Sequence, residues 1–298
     1  MVITKLKGGL GNQLFQYAAG FALARNQHCA FKIDVSGYES TPSRGETMRD
    51  LDIYDFLITA PIASEQEIKD LKYPNGVISK ITRAIEKKVL KQYYVDWHPN
   101  LLLNTGNVYL DGYFQSEKYF QSELAAIFDQ FSLRQQWLDP IKEIGESINQ
   151  CNTSVSLHIR RGDYANDPRI RRHFLVCDVK YYQRAIDYFL EKVPSCNFYI
   201  FSDDVNWVRQ NLVFSDKVTF ISSEKKDANS FRPSQELILM SKCHHHILSN
   251  SSFSWWGAYL NQSKNKIVLA PDVWNNGYVA QPNILPESWI RFPVGEGT

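Results

Sequence analysis

Three polar clusters in the second half of the chain hold the residues best suited to chemistry. Val155-Ser156-Leu157-His158-Ile159 alternates apolar and polar residues as a strand does, then breaks into Arg160-Arg161-Gly162-Asp163-Tyr164. Two adjacent guanidiniums at a strand end can neutralise a phosphate through charge-assisted, bidentate hydrogen bonds. Strand-like 197–201 runs into Ser202-Asp203-Asp204, whose carboxylates suit a ribose diol or the N–H edge of guanine. His246-Ile247-Leu248 runs into Ser249-Asn250-Ser251-Ser252 and a helix opening at Phe253, where hydroxyls and backbone N–H groups suit phosphate oxygens. Taken singly each cluster has a plainer reading, and Ser-Asp-Asp is most simply a helix N-cap. Together they describe a nucleotide site.

The elements that must position these clusters alternate regularly. Strand 154–159 leads through a long loop to Cys177, then helix 179–193, strand 197–201, a short helix with Trp207 and Leu212, and strand 218–221. Helix 233–242, strand 246–248, helix 253–261 and strand 267–270 follow. Strands separated by helices of this length give a parallel, doubly wound sheet, and such sheets bind ligands beyond the carboxyl ends of their strands. The three clusters therefore converge on one edge.

The first half opens as βαβ: strand Val2–Leu6, turn Gly8-Gly9-Leu10-Gly11, a helix from Asn12 to Arg25, and strand Ala30–Asp34. Leu14 stands where a dinucleotide fingerprint needs its third glycine, so that fingerprint is absent. Gly9 and Gly11 still allow a ligand to approach backbone N–H groups at the helix start. A loop at 36–49, a capped helix from Ser64, a helix over Val77–Leu90, a strand at 107–114 containing Asp111-Gly112-Tyr113-Phe114 and followed by Gln115-Ser116, and a helix from Glu117 complete this half. Residues 133–150 read as helical with a break at Pro140. Cys151-Asn152-Thr153 is the expected joint between domains 1–152 and 153–298.

Composition narrows the class. At 298 residues, 44% hydrophobic and 22% charged, the chain is an ordinary globular protein with ample core. A formal charge of +1 gives no reason to expect nucleic acid as a partner. Five cysteines, widely spaced and without C-x-x-C, argue against a disulfide framework and a zinc site and suit a reducing compartment. No signal-peptide pattern and no run of about 18 apolar residues is present, so the expectation is a cytoplasmic protein, at most peripheral to the inner membrane. Three distractors resolve to plainer readings. Asp50-Leu51-Asp52 reads as a surface strand or turn before it reads as a metal-holding D-x-D. Cys243-His244-His245-His246 leads into a strand whose alternate side chains diverge. Trp255-Trp256 reads as core packing of a helix on the sheet.

His158-Ile159-Arg160-Arg161-Gly162-Asp163-Tyr164 resembles the H-x-R-R-G-D signature shared by α1,2-, α1,6- and protein-O-fucosyltransferases. With Gly8-Gly9-Leu10-Gly11-Asn12-Gln13-Leu14-Phe15-Gln16-Tyr17 and Asn250-Ser251-Ser252-Phe253-Ser254-Trp255-Trp256-Gly257, the whole chain is similar to the bacterial α1,2-fucosyltransferase family. The resemblance implies an α/β fold of two facing Rossmann-like domains (GT-B type) with a cleft between them. It implies GDP-fucose as donor, a galactose-terminated acceptor attacked through its 2-hydroxyl, inversion, and no metal or other cofactor. Membrane association would then run through a lipid-linked acceptor. Carried over by residue, Arg160 grips the β-phosphate and stabilises departing GDP, and Asn12 reaches the reaction centre from the N-terminal domain. His158, Arg161 and one of Asp203 and Asp204 serve the donor nucleotide, Asn250, Ser251, Ser252 and Phe253 line the diphosphate and base, and Asp163 braces the loop. Gly9 and Gly11 stay with the substrate set. For a general base, Asp34, Glu46 and Asp111 all remain open. The rival readings are the same fold with another donor or linkage, and a non-catalytic nucleotide- or carbohydrate-binding protein.

Overall fold

Val2–Lys5 (β1) is buried along most of its length and pairs in parallel with Phe31–Asp34 (β2) on one side and Val108–Leu110 (β3) on the other. The computed structural model describes residues 1–38, 50–76, 96–102, 105–174, 177–193, 195–214, 217–222, 230–277 and 281–295. The loop carrying Glu46 and the helix expected over Val77–Leu90 lie outside these residues, as does the side chain of Asp163. The described residues form two compact units, Met1–Ser132 with Val279–Pro286, and Leu133–Tyr278 with Glu287–Thr298.

In the first unit, helix Leu10–Asn26 (α1) crosses between β1 and β2. It is buried almost all round rather than along one stripe, with Leu14, Phe15, Tyr17, Ala18 and Ala22 fully covered. Alanines and a glycine on its flanks permit this depth. Ser64 caps helix Glu65–Lys72 (α2) in a reciprocal capping box with Glu67, as the spacing predicts. After β3 the chain makes two short 3₁₀ turns and then helix Leu124–Gln130, not one helix from Glu117. The Asp50–Phe56 run is a 3₁₀ turn over Asp52–Asp55, not a surface strand. Gln13 Oε1 accepts from Ile53 N at 3.0 Å there, and Ile53 and Phe56 are core residues.

The second unit holds a six-stranded, all-parallel sheet. Its strands are Ser154–Ile159 (β4), Asn197–Ser202 (β5), Val218–Phe220 (β6), His245–Ile247 (β7), Val268–Pro271 (β8) and Ile290–Phe292 (β9), in the order β6-β5-β4-β7-β8-β9. The chain winds outward from β4 in one direction, returns, and winds outward the other way. The gap between β4 and β7 is therefore the topological switch point, where doubly wound sheets place their ligands. The stretch read as helical over 133–150 supplies Lys142–Gln150 (α3), and the helices expected in this half form at Val179–Lys192 (α4), Val205–Asn211 (α5), Pro233–Ser241 (α6) and Ser252–Tyr259 (α7). The supposed joint at Cys151–Thr153 does not separate the units. α3 lies ahead of it and packs with α6 of the second unit, so the division falls between Ser132 and Leu133.

β4 is buried on both faces. Val155, Leu157 and Ile159 join the core with Tyr181, Tyr182, Ile186 and Phe189 of α4. The intervening polar residues are buried too, and each finds a partner: Ser154 with His244, Ser156 with His246, and His158 with Ser249, every pair at 2.7 Å. The His-His-His tract is thus a structural ladder. Among the described residues no group of three or more His, Cys, Asp or Glu is placed to hold a metal ion. All five cysteines are free, and no described helix is long and apolar enough to cross a membrane.

Candidate active site

The register of β4 against β5 pairs Ile159 with Ser202, so Arg160 leaves one strand as Asp203 leaves its neighbour. Arg160 Nη1 meets Asp203 Oδ2 at 2.7 Å, both side chains being about one-fifth exposed at 22%. The other oxygen of the same carboxylate accepts the backbone N–H of Arg161 at 2.8 Å. Gly162 leaves room for this arrangement, since a Cβ there would stand 2.6 Å from Asp203 Oδ2. One carboxylate therefore folds the Arg160–Gly162 turn. Asp204 does a different job: it caps α5 by accepting from Trp207 N at 3.0 Å and takes a weaker contact from Arg161 Nε at 3.4 Å. The Arg161 guanidinium sits over the Trp207 ring, 4.0 Å from its centroid. The helix-cap reading of Ser202-Asp203-Asp204 thus holds for one of the two adjacent aspartates. Asp204 is the cap, and Asp203 is the partner of the guanidinium.

On the β7 side, His158 is buried, its Nδ1 bonded to Ser249 and its ring 5.4 Å from that of Phe253. Burial, and then the positive charge of Arg160, push its pKa down to about 3, so the imidazole is neutral. Ser251 caps α7, accepting from Phe253 N at 3.3 Å. Ser252 opens the helix with its hydroxyl unengaged among the described residues. Asn250 is buried and its amide is fully used: Nδ2 donates to Phe174 O at 2.7 Å and Trp274 O at 3.0 Å, while Oδ1 accepts from Cys177 Sγ at 3.6 Å. In this structure it is a clamp that draws two loops onto the end of β7. Tyr164 links the two sides, its ring 5.6 Å from the Arg160 guanidinium and its hydroxyl 3.5 Å from Asn250 O. The long loop expected through Cys177 is instead helical at Gly162–Asn166 and Pro168–Phe174. Proline is well suited to the first position of the latter helix.

Arg160, Arg161, Asp203 and Asp204 thus gather on one side of the switch point, and His158, Asn250, Ser251, Ser252 and Phe253 on the other. A profile of glycosyl transferase family 11 matches residues 1–292 of the chain. The chain belongs to glycosyl transferase family 11. Among relatives of this family 11 glycosyltransferase, the alpha-1,2-colitosyltransferase of Escherichia coli is 32% identical over 303 residues, covering 98% of this chain and 98% of that protein. The O-antigen biosynthesis glycosyltransferase WbnK of Escherichia coli is 29% identical, covering 96% and 98%. The galactoside 2-alpha-L-fucosyltransferase SEC1 of Bos taurus is 26% identical, covering 85% and 62%. In fold, the chain is similar to the fucosyltransferase NodZ from Bradyrhizobium, with TM-score 0.54, 16% identity and coverage of 87% and 92%. It is likewise similar to an Arabidopsis thaliana FUT1 mutant in complex with GDP, with TM-score 0.53, 13% identity and coverage of 96% and 72%. The fold is α/β of the GT-B type, with parallel sheets in both units.

The glycine turn of this family member lies in the first unit. Gly9 is the N-cap of α1 with φ −74°, its carbonyl accepting from Asn12 N and Gln13 N, and Gly11 is buried in the first turn. The residue that needs to be glycine is Gly8, at φ +79°. Its carbonyl accepts from Tyr38 Oη at 2.6 Å and Gln13 Nε2 at 3.1 Å. Asp34 is buried, holding Tyr109 Oη and Ser36 N. Asp111 pairs with Lys7 at 2.9 Å. Asp34 thus ties β2 to β3, and Asp111 holds Lys7 at the start of the turn that presents Asn12. Sequence reading singled out Gly9 and Gly11 of this turn rather than Gly8, and it left out Gln281, a neutral amide in a C-terminal loop with no motif around it.

Proposed function

We propose that the chain transfers L-fucose from GDP-fucose to the 2-hydroxyl of a terminal β-galactoside, with inversion and without a metal ion. The observation that carries this reading is the Arg160 guanidinium, fixed by Asp203 at the carboxyl end of β4 beside the switch point. A planar cation preorganised there stabilises the charge that grows on GDP as the sugar leaves, while it would do little for the intact donor. Ser252 and the first N–H groups of α7 suit the diphosphate oxygens, and neutral His158 with Phe253 supplies a wall for the nucleoside. Asn12 acts as the second catalytic residue, as the family resemblance implies. The partners are then GDP-fucose and a galactose-terminated oligosaccharide; nucleic acid is not among them, and any membrane contact is peripheral, through a lipid-linked acceptor.

A second reading keeps the site and changes the donor to one carrying colitose, and it is favoured by the name of the Escherichia coli relative at 32% identity. Purified protein offered GDP-fucose and lactose, and in parallel the corresponding colitose donor, separates the two. The expected product is the 2-linked fucoside. Transfer from the colitose donor alone, or any other linkage, overturns the proposal. Turnover is expected to survive EDTA, and a complete loss restored by Mg²⁺ would return Asp50 and Asp52 to consideration as metal ligands.

A further inference from the structure

The first unit carries a polar chain built from three segments far apart in sequence. Gln115 Nε2 donates to Asn12 Oδ1 at 2.8 Å, and Gln281 Nε2 donates to Gln115 Oε1 at 2.6 Å. Asn12 belongs to the start of α1, Gln115 follows β3, and Gln281 comes from the C-terminal stretch that returns to this unit. A primary amide has an accepting end and a donating end. With its oxygen taken by Gln115, Asn12 turns its NH₂ outward, and that NH₂ makes no hydrogen bond among the described residues.

Two features of the backbone agree with a donor held ready. A side chain at residue 8 would place its Cβ 2.9 Å from Asn12 Nδ2, so the glycine leaves that nitrogen uncovered. On the other side, Phe114 is fully buried at φ +51°, a left-handed conformation that bulky residues rarely adopt. That turn delivers the next residue, Gln115, to Asn12, and backbone strain of this kind concentrates where a side chain must be aimed. Behind Gln115, the segment of Gln281 is itself pinned, since Asn283 N and Nδ2 donate to the Asp96 carboxylate and Asn283 Oδ1 accepts from Lys118 Nζ.

We propose that Gln115 and Gln281 are positioning residues that orient the Asn12 amide so that Nδ2 donates to a hydroxyl oxygen of the acceptor sugar. A neutral donor suits a hydroxyl, which keeps its own proton free for transfer and presents no charge to be balanced. The assignment rests on the sugar-transfer reading in that one respect. The orientation of Asn12 itself does not depend on it.

The test uses the full chain labelled with ¹⁵N-asparagine, the Asn12 side-chain resonance being identified by its disappearance in Asn12→Ala. Gln115→Glu replaces the donating Nε2 by a second carboxylate oxygen of nearly the same size, so Asn12 must turn its NH₂ inward. The Asn12 NH₂ signals should shift, and kcat/KM for transfer should fall about 10-fold with GDP affinity unchanged. Asn12→Ala combined with Gln115→Glu should be no slower than Asn12→Ala alone. Gln281→Leu, one step further out, should give the same shift in smaller measure with about a 3-fold loss, and it stands in should Gln115→Glu fail to fold. Asn12 signals unchanged in both variants overturn the proposal, as does a double variant slower than either single one. If the wild-type chain transfers no sugar, the functional reading falls and the resonance shift alone decides the positioning role.

Discussion

The two sheets end in opposite kinds of chemistry. Beyond β4 and β5, every conspicuous group is charged and already neutralised by a neighbour: Arg160 by Asp203, Arg161 by Asp204 and the Trp207 face. At the α1 turn of the first unit uncharged amides stand beside a single Lys7–Asp111 pair, and one of those amides, Asn12, keeps a donor unspent. The contrast follows from solvation. A half-buried charge is held at acceptable cost only with a counter-charge, so under the proposed function the phosphate would displace or join an existing pair. A partly exposed amide can leave one donor to solvent at little cost, which makes it a fit partner for a neutral hydroxyl. On the proposed function, one edge serves charge development and the other geometry.

The comparison breaks most directly at Arg160. Arg160→Ala should lower kcat by roughly 10² to 10³, the scale seen when one preorganised donor to a developing anion is removed. Arg160→Lys should recover only part of the loss, because one ammonium cannot hold Asp203 and a phosphate in the planar geometry of a guanidinium. Steady-state rates of donor turnover check both. Wild-type rates in Arg160→Ala would show that the charged edge is not where the leaving group is stabilised.

A smaller effect separates holding Arg160 from being Arg160. Asp203→Asn keeps an acceptor for the Arg161 N–H but loses the charge opposite the guanidinium, and about a 10- to 100-fold fall in kcat is expected. Gly162→Ala should act in the same sense and more weakly. Its Cβ would stand 2.6 Å from Asp203 Oδ2, and the carboxylate is the part able to move. The two substitutions together should cost less than the product of their separate effects, since both act through one carboxylate. Additive losses would mean that Asp203 touches the nucleotide on its own account.

The buried histidines of the second sheet carry a pH dependence of folding. His158 and His246 are held neutral by burial, helped by the charge of Arg160 for the first and Lys266 for the second. Unfolding frees each to take a proton near its ordinary value of 6.5, so below that pH the unfolded chain binds more protons than the folded one. Their contribution to stability is complete above about pH 6.5 and is lost progressively as pH falls toward the folded value of about 3 for His158. Urea midpoints should hold level above about pH 7 and decline toward about pH 5, with a shallower decline in His158→Gln. A midpoint unchanged across that range would contradict neutral burial.

How much of this was readable from residues alone differs between the two edges for a physical reason. Charged loops after apolar strands announce themselves, so the Arg160, Asp203 and Ser251 clusters and five of the second-unit strands were legible, whereas the short, largely exposed edge strand Ile290–Phe292 was missed. The ladder of Ser154, Ser156 and His158 was not, because polar residues alternating along a strand look the same whether water or a neighbouring histidine satisfies them. Gly162, Asn166 and Pro168 read as loop, yet a proline in the first turn is equally a helix start. Nothing around Gln281 marks it. Its role comes from a C-terminal segment folding back onto the first unit, and long-range return of that kind leaves no local pattern.

The gentlest way to sharpen the contrast is ionic strength, which acts on one edge and spares the other. Raising salt from about 0.05 M to about 0.5 M shortens the screening length several-fold and weakens attraction between a partly exposed guanidinium and a diphosphate. The KM for the nucleotide donor should therefore rise a few-fold. On the proposed reading the acceptor is met by the uncharged amide of Asn12, with Lys7 beside it already paired to Asp111, so its KM should hardly move over the same range. Because the Arg160–Asp203 pair is screened along with the ligand, the donor effect is bounded to that modest size, and Arg160→Ala should remove most of what remains. An acceptor KM that climbs with salt as steeply as the donor's would place charge where the structure shows amides, and the division of labour between the two edges would have to be redrawn.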